Sequence, residues 1–179
     1  LIGPPSYPFA SQIVLCGRGG QGILFLTRIL DEVAVLLGLS VISSETHGMA
    51  MRGGSVASFI RIGDFHSPLI RSGQADILMV LEEKELSAHE HFAKKSGSQV
   101  YVNSKNNYKR SIDASGIAIR IGSPVSANLV LLGYAAAHPD FPFTKDDIID
   151  ILKKISPQKI IDRNITCFSE GYHAFCKNT

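Results

Sequence analysis

The glycine-rich run at residues 17–22 is the first segment of the chain that is equipped for chemistry. Its residues satisfy the G-x-G-x-x-G spacing of a dinucleotide-binding turn, and they are Gly17, Arg18, Gly19, Gly20, Gln21 and Gly22. Such glycines allow a tight turn and let an anion approach the free amides at the start of a helix, where Arg18 adds positive charge. Glu45 follows about twenty residues later, where an acidic residue that binds ribose is expected. The run therefore predicts a site that binds an anionic group. The pyrophosphate of NAD or FAD is one such group.

A second segment, residues 44–54, has no periodicity and combines titratable side chains with glycines. Arg52 stands before Gly53 and Gly54 and can clamp a carboxylate or phosphate through its planar guanidinium. His47 has a reference pKa of about 6.5, so it is a candidate either for acid–base chemistry or for capping loop carbonyls. We expect Glu45 to accept hydrogen bonds from the glycine turn, or alternatively to contact a ribose.

Alternating strands and helices must position these two segments. We predict strands at residues 12–16, 39–43, 55–62, 65–70, 77–81, 99–103 and 116–121. We predict helices at residues 23–37, 83–95, 124–137 and 144–155, and from 157 onwards. The first two strands are expected to be parallel, and the strands at 55–62 and 65–70 to form a hairpin. This order predicts an α/β fold: a Rossmann-like three-layer α/β/α sandwich on a mostly parallel, mixed sheet, with a helical C-terminal third.

Composition narrows the class of protein. The 179 residues are 45% apolar and 19% charged, which is typical of one compact domain. The net charge of +2 is small and dispersed, so nucleic acid is not an expected partner. The apolar runs are too short to span a membrane. We expect residues 1–11 to be an N-terminal arm or residues foreign to the native chain, and residues 12–179 to be the functional domain.

The three cysteines, Cys16, Cys167 and Cys176, contain no C-x-x-C pair. They are too few and wrongly spaced to hold an iron–sulfur cluster or zinc alone, and their odd number does not make a disulfide framework. A reducing, cytoplasmic location is therefore expected. We expect the isolated chain to bind no metal.

The two motifs together resemble the gamma domain of the 2-oxoacid:ferredoxin oxidoreductases. In that family a G-x-G-G-Q-G turn is followed by a loop that ends in R-G-G and leads into a strand. The resemblance is greatest to the small, or beta, subunit of the indolepyruvate branch, which typically reads H-G-M-x-Q-R-G-G. This chain has His47-Gly48-Met49 and Arg52-Gly53-Gly54, but Met51 replaces the usual Gln. Met before R-G-G is more similar to the gamma subunits of the pyruvate and 2-oxoglutarate branches.

The resemblance implies a Rossmann-like domain that works only in a heteromeric complex. The assembled enzyme would decarboxylate a 2-oxoacid on thiamine diphosphate, pass two electrons through iron–sulfur clusters to ferredoxin, and form an acyl-CoA. Thiamine diphosphate and the clusters would belong to a large partner subunit, and this chain alone would bind no cofactor. The glycine turn, Glu45 and the R-G-G segment would offer an anion-binding surface, with Arg52 and His47 as catalytic candidates. Three alternatives stay open: a stand-alone protein that binds NAD or FAD, the gamma subunit of a pyruvate or 2-oxoglutarate:ferredoxin oxidoreductase, and a purely structural assembly domain.

Overall fold

The computed structural model describes residues 10–47 and 53–177 and contains one six-stranded sheet with the strand order β2-β3-β1-β4-β5-β6. The strands are β1 (Ser11–Arg18), β2 (Val41–His47), β3 (Ser55–Ile62), β4 (Ile77–Val80), β5 (Gln99–Asn103) and β6 (Ser111–Ile112). The helices within the described residues are α1 (Ile23–Leu36), α2 (Leu86–His89), α3 (Ala114–Arg120), α4 (Ala127–Ala136), α5 (Lys145–Ile155) and α6 (Ile161–Lys177). The predicted α/β fold is thus confirmed. The first strand begins one residue earlier than expected, at Ser11.

The sheet is mixed because β3 runs against both of its neighbours. Strands β1, β4, β5 and β6 are mutually parallel, whereas β3 pairs antiparallel with β1 on one side and with β2 on the other. The prediction that the first two strands run in the same direction is correct, but β3 lies between them. A short connection joins β2 to β3, so β3 must return antiparallel beside β2. Gly53 and Gly54 consequently lie at the end of this connection, directly before β3.

The predicted hairpin of residues 55–62 with 65–70 is wrong. Residues 65–70 form no strand, because β3 already has a hairpin partner in the preceding strand. Instead, the Arg61 side chain donates from Nη1 to the carbonyl oxygens of Ser67 (2.9 Å) and Leu69 (3.2 Å) and holds this segment as an irregular loop. The loop crosses the face of the sheet that carries Arg61.

Two further elements differ from the sequence prediction. The sequence predicts a strand at residues 116–121, but residues 116–120 belong to α3 and Ile121 follows its end, because Asp113 caps the helix by accepting a hydrogen bond from the amide of Gly116 at 2.8 Å. Ala114 and Ala118 are the buried residues of this helix, at helical spacing. The single helix predicted at 83–95 is divided into a 3-10 turn (Glu83–Glu85), α2 and a second 3-10 turn (Glu90–Phe92). It ends early because the chain beyond Phe92 is drawn into a bridge between Ala75 and Ala93.

The predicted start of α5 is confirmed by its capping box. The hydroxyl of Thr144 accepts a hydrogen bond from the amide of Asp147 at 3.2 Å, and the Asp147 carboxylate accepts one from the amide of Thr144 at 3.3 Å.

The two faces of the sheet are covered unequally. The larger core lies on the face packed by α1, α3, α4, α5 and α6, while the other face is covered by α2, its flanking turns and loops around a smaller core. On the thicker side, α4 is buried between the sheet and α6. A Cβ on Gly133 would lie 1.9 Å from the carbonyl oxygen of Phe168, and one on Gly171 equally close to that of Val130. The two helices therefore pack backbone against backbone.

None of the helices in the described ranges is long and apolar enough to cross a membrane.

Candidate functional site

The glycine turn lies where the connections of the sheet change sides. Strand β1 leads into α1 on the thicker side, whereas the neighbouring strand β4 leads into α2 on the thinner side. The two parallel strands meet at their carboxyl ends, where the amide of Leu81 donates to the carbonyl oxygen of Cys16 at 2.8 Å. In open α/β sheets this switch point is the usual ligand-binding position.

The chain itself uses most of the amides that a dinucleotide would need. The amide of Gly19 donates to the carbonyl oxygen of Gly54 at 2.9 Å, and the amide of Arg18 donates to Oε1 of Gln21 at 2.7 Å. A Cβ on Gly19 would lie 3.3 Å from the backbone nitrogen of Gly53. The close approach that this glycine permits is therefore made by Gly53 and Gly54. The amide of Gly19 is already used by the chain, which disfavours a dinucleotide at this turn.

Gln21 closes the crevice between β1 and β4 from the other side. Its side-chain Nε2 lies 3.5 Å from the carbonyl oxygen of Leu81 and 3.5 Å from a carboxylate oxygen of Glu82. The start of α4 is tied to the same turn, because Nδ2 of Asn128 donates to the carbonyl oxygen of Gly22 at 3.2 Å. Sequence reasoning included Gln21 only as a member of the glycine motif. Its bracing role depends on a contact with residues some sixty positions away, for which a single sequence gives no signal.

The amino end of α1 remains open. No side chain of the described residues caps it, and a cavity of about 410 Å³ lies beside it. The cavity is lined by Arg18, Gly19, Gly20, Gly22, Ile23, Leu24, Phe25 and Val56. The free amides and positive dipole end of a 14-residue helix favour an anion here, and Arg18 adds a full charge.

Glu85 connects the glycine turn to Ser55, the first residue of β3. Its carboxylate accepts a hydrogen bond from the hydroxyl of Ser55 at 2.8 Å and lies 3.7 Å from Nε of Arg18. Glu85 is largely buried, whereas Arg18 is about half exposed. The sequence carries no sign of this role for Glu85, because the residue reaches this site only through the packing of its 3-10 turn on the sheet.

Of the remaining predicted site residues, Glu45 lies away from the glycine turn. Glu45 lies opposite Ser58 on β2, two strands from β1, and lines a separate cavity of about 250 Å³ beside α1. This cavity also contains Asp31, whose pKa is raised chiefly by burial. His47 is the last residue of β2, and its side chain lies outside the described residues, as does the whole of Arg52. Gly53 and Gly54 are described, and both face the turn.

The cysteines lie apart on two elements. Cys16 is buried in β1, where burial and, secondarily, the charge of Glu85 raise the pKa of its thiol to about 12. Cys167 is buried on α6, and Cys176 is exposed on the same helix. Within residues 10–47 and 53–177 no three potential metal-binding side chains come together. These residues do not fit an iron–sulfur cluster.

Comparison with known proteins gives a consistent result. A family model described as "Pyruvate ferredoxin/flavodoxin oxidoreductase" matches residues 12–174. The indolepyruvate oxidoreductase subunit IorB of Methanothermobacter thermautotrophicus is 35% identical, with 91% of this chain and 96% of the relative aligned. The pyruvate synthase subunit PorC of Methanothermobacter marburgensis is 33% identical over 86% of this chain and 90% of its own length.

Among solved structures, the pyruvate oxidoreductase subunit PORC of Thermotoga maritima superposes with a TM-score of 0.77. It is 24% identical, and the match covers 92% of this chain and 96% of that one. This likeness shows the shared fold.

Proposed function

The chain belongs to the pyruvate ferredoxin/flavodoxin oxidoreductase family, and from this premise we propose that it is the small subunit of an indolepyruvate-type 2-oxoacid:ferredoxin oxidoreductase. The likeness to an indolepyruvate oxidoreductase subunit extends over nearly the full length of both chains, which supports this branch. The assembled enzyme converts an arylpyruvate and coenzyme A into an acyl-CoA and carbon dioxide, and two electrons pass to ferredoxin. The small subunit is inactive alone.

The catalytic groups are divided between subunits in this proposal. Thiamine diphosphate and the iron–sulfur clusters belong to the large partner subunit, in accord with the scattered cysteines of this chain. The small subunit covers the active-site region with the carboxyl edge of its sheet. Coenzyme A, when bound, supplies the thiol that accepts the acyl group.

The observation that carries this proposal is the hydrogen bond between the amide of Gly19 and the carbonyl oxygen of Gly54. It occupies the amide of Gly19 but leaves the amino end of α1 open beside Arg18. That end suits a single anionic group, such as a phosphate of coenzyme A or the carboxylate of the substrate. Leu24, which is 45% exposed, supplies apolar surface next to it.

The test is reconstitution of the native enzyme. A tagged form of this chain should co-purify with a large subunit that binds thiamine diphosphate and iron–sulfur clusters. The complex should reduce ferredoxin in the presence of indolepyruvate and coenzyme A, while neither subunit does so alone. Pyruvate and 2-oxoglutarate serve as competing substrates, since subunits of those branches also resemble this chain. Stoichiometric NAD or FAD on the isolated chain would overturn the proposal.

A further inference from the structure

A third cavity lies near the amino end of β1, away from the glycine turn, and has a volume of about 250 Å³. Arg61, Ser67, Leu69, Arg71 and Gln74 line it. Arg61 pairs with Gln12 near the start of β1, whereas the glycine turn follows the end of that strand. Six residues of extended chain separate the two places by about 20 Å. The cavity is therefore independent of the site described above.

The Arg61 guanidinium has an N–H group that donates to no other described residue. Its Nη1 donates to two loop carbonyls, and its guanidinium carbon lies 3.8 Å from the centre of the Phe65 ring. Its Nε, in contrast, is buried and has no partner, and the same is true of Oε1 of Gln12, the residue paired with it in the sheet. A buried donor without a partner makes the folded chain less stable. A ligand that accepts a hydrogen bond from this donor would remove that penalty.

Among the described residues, no acidic side chain lines the cavity. Neither Arg61 nor Arg71 forms an ion pair within the described part of the chain. The nearby carboxylate of Asp76, which accepts a hydrogen bond from the amide of Gln12, is already paired with Lys94. Two positive charges at one cavity repel each other, and an anion between them removes this cost.

The shape and rim of the cavity favour a carboxylate on a protein over a free ion. A guanidinium presents a planar fork that matches a carboxylate with two hydrogen bonds. Leu69 at the rim is 64% exposed, and an exposed apolar side chain beside arginines is typical of protein interfaces.

We propose that this cavity is a docking site for an acidic segment of the large subunit, with an Asp or Glu carboxylate placed between Arg61 and Arg71. The inference rests on the proposed function, since it assumes a large partner subunit. It adds a second contact with the large subunit, near the amino end of β1, whereas the glycine turn lies at the carboxyl end of that strand. Electrostatic contacts of this kind make association depend on salt.

The experiment measures the dissociation constant of the purified small and large subunits at low and high sodium chloride. Arg71→Glu should weaken binding by about tenfold or more at low salt and should flatten the salt dependence. Arg163→Glu, an exposed arginine on α6, makes the same change in net charge and serves as the matched control. Arg61→Gln should weaken binding too, but Arg61 also holds the loop, so its melting temperature must be measured in parallel.

The outcomes separate this inference from the proposed function. If Arg71→Glu and Arg163→Glu both bind as the wild type does, the docking site is wrong while the complex stands. If the wild-type chain binds no large subunit at any salt concentration, the proposed function fails and the inference fails with it. Inorganic phosphate is tested on the isolated chain as well. A rise in melting temperature with phosphate that Arg71→Ala abolishes would assign the cavity to a small free anion and overturn protein docking.

Discussion

The amide of Gly19 donates to the carbonyl oxygen of Gly54 at 2.9 Å, so the glycine turn and the Gly53-Gly54 pair form one structural unit. The turn follows β1, and the segment ends the hairpin connection between β2 and β3. Because β3 pairs with β1 along its whole length, from Arg18 opposite Ser55 to Ser11 opposite Ile62, the two motifs are held at the same edge. Each motif thus constrains the conformation of the other.

Gly19→Ala should separate these motifs with little effect on the fold. The added Cβ would lie 3.3 Å from the nitrogen of Gly53, so the hairpin turn must move by a few tenths of an ångström. We expect a loss of about 1 kcal/mol or less in the free energy of unfolding, because the site is at the surface. Turnover of the reconstituted complex should fall much more, about tenfold.

Gly20→Ala is the control for that substitution. Its Cβ would meet nothing within 4 Å, but its φ of 95° strains any L-residue. It should cost stability and leave the Gly19 contact intact. If the reconstituted complexes of the two variants turn over at the same rate, the contact between Gly19 and Gly53 is not needed for activity.

Arg52→Ala should lower turnover or assembly by about 1.5 to 3 kcal/mol, the scale of a hydrogen bond to a charged group. Arg52 precedes the two glycines that face the turn, and its guanidinium is a candidate to hold an anionic substrate group or a partner carboxylate. Arg52→Lys should rescue little, since an ammonium cannot form the bidentate pair. Substrate-dependent ferredoxin reduction measures the effect, and a melting curve of the free subunit is the control. Normal activity of Arg52→Ala would contradict a functional role.

The native chain should contain one rapidly reacting thiol. Cys176 is exposed, whereas Cys16 and Cys167 are buried and burial raises the pKa of both thiols. Titration with a coloured disulfide reagent should modify Cys176 within the first phase and the other two only after unfolding in urea. Cys176→Ser should abolish the fast phase. A fast phase that persists in this variant would mean that β1 or α6 opens readily.

His138 should make the protein less stable in mildly acidic solution. The residue is buried against the rings of Tyr101 and Tyr134, its Nδ1 lies 2.9 Å from the carbonyl oxygen of Tyr134, and burial lowers its pKa. The unfolded chain therefore binds the proton more tightly, with a pKa of about 6.5. The free energy of unfolding should therefore fall as the pH drops from about 6.5 to the lowered pKa of His138 in the folded state.

Urea unfolding at several pH values measures this effect. His138→Phe keeps an aromatic ring in the cluster but does not titrate, so its free energy of unfolding should decrease less between about pH 6.5 and 5. His66→Gln, at an exposed histidine, should retain the pH dependence of the wild type. An unchanged dependence in His138→Phe would assign the acid sensitivity to other groups.

Local signals in the sequence were sufficient for some elements and insufficient for others. The capping box at Thr144 and the apolar run of β1 act within a few residues, and both were predicted correctly. Residues 116–121 alternate like a strand, but the cap at Asp113 and the packing of Ala114 and Ala118 decide for a helix. Tertiary packing here overrides a short local pattern.

For the candidate site, too, some residues could be predicted from the sequence and others could not. The glycine run and Gly53-Gly54 were identified from residue type and spacing, and they do meet in the structure. The same spacing also matched a dinucleotide site, because sequence spacing does not reveal what fills the space above Gly19. Glu85 and the bracing by Gln21 could not be predicted, since both depend on contacts between distant parts of the chain.

The burial of α4 determines the order in which the chain can complete its fold. Its residues from Asn128 to Ala136 are all buried, so the helix has no face suited to water. Its outer side is covered by α6, which is synthesised later and contacts it through Gly133 and Gly171. While the ribosome has not yet released α6, α4 is an uncovered apolar segment. We expect the nascent chain to bind chaperones during this interval, and we expect its core to close only once α6 has emerged.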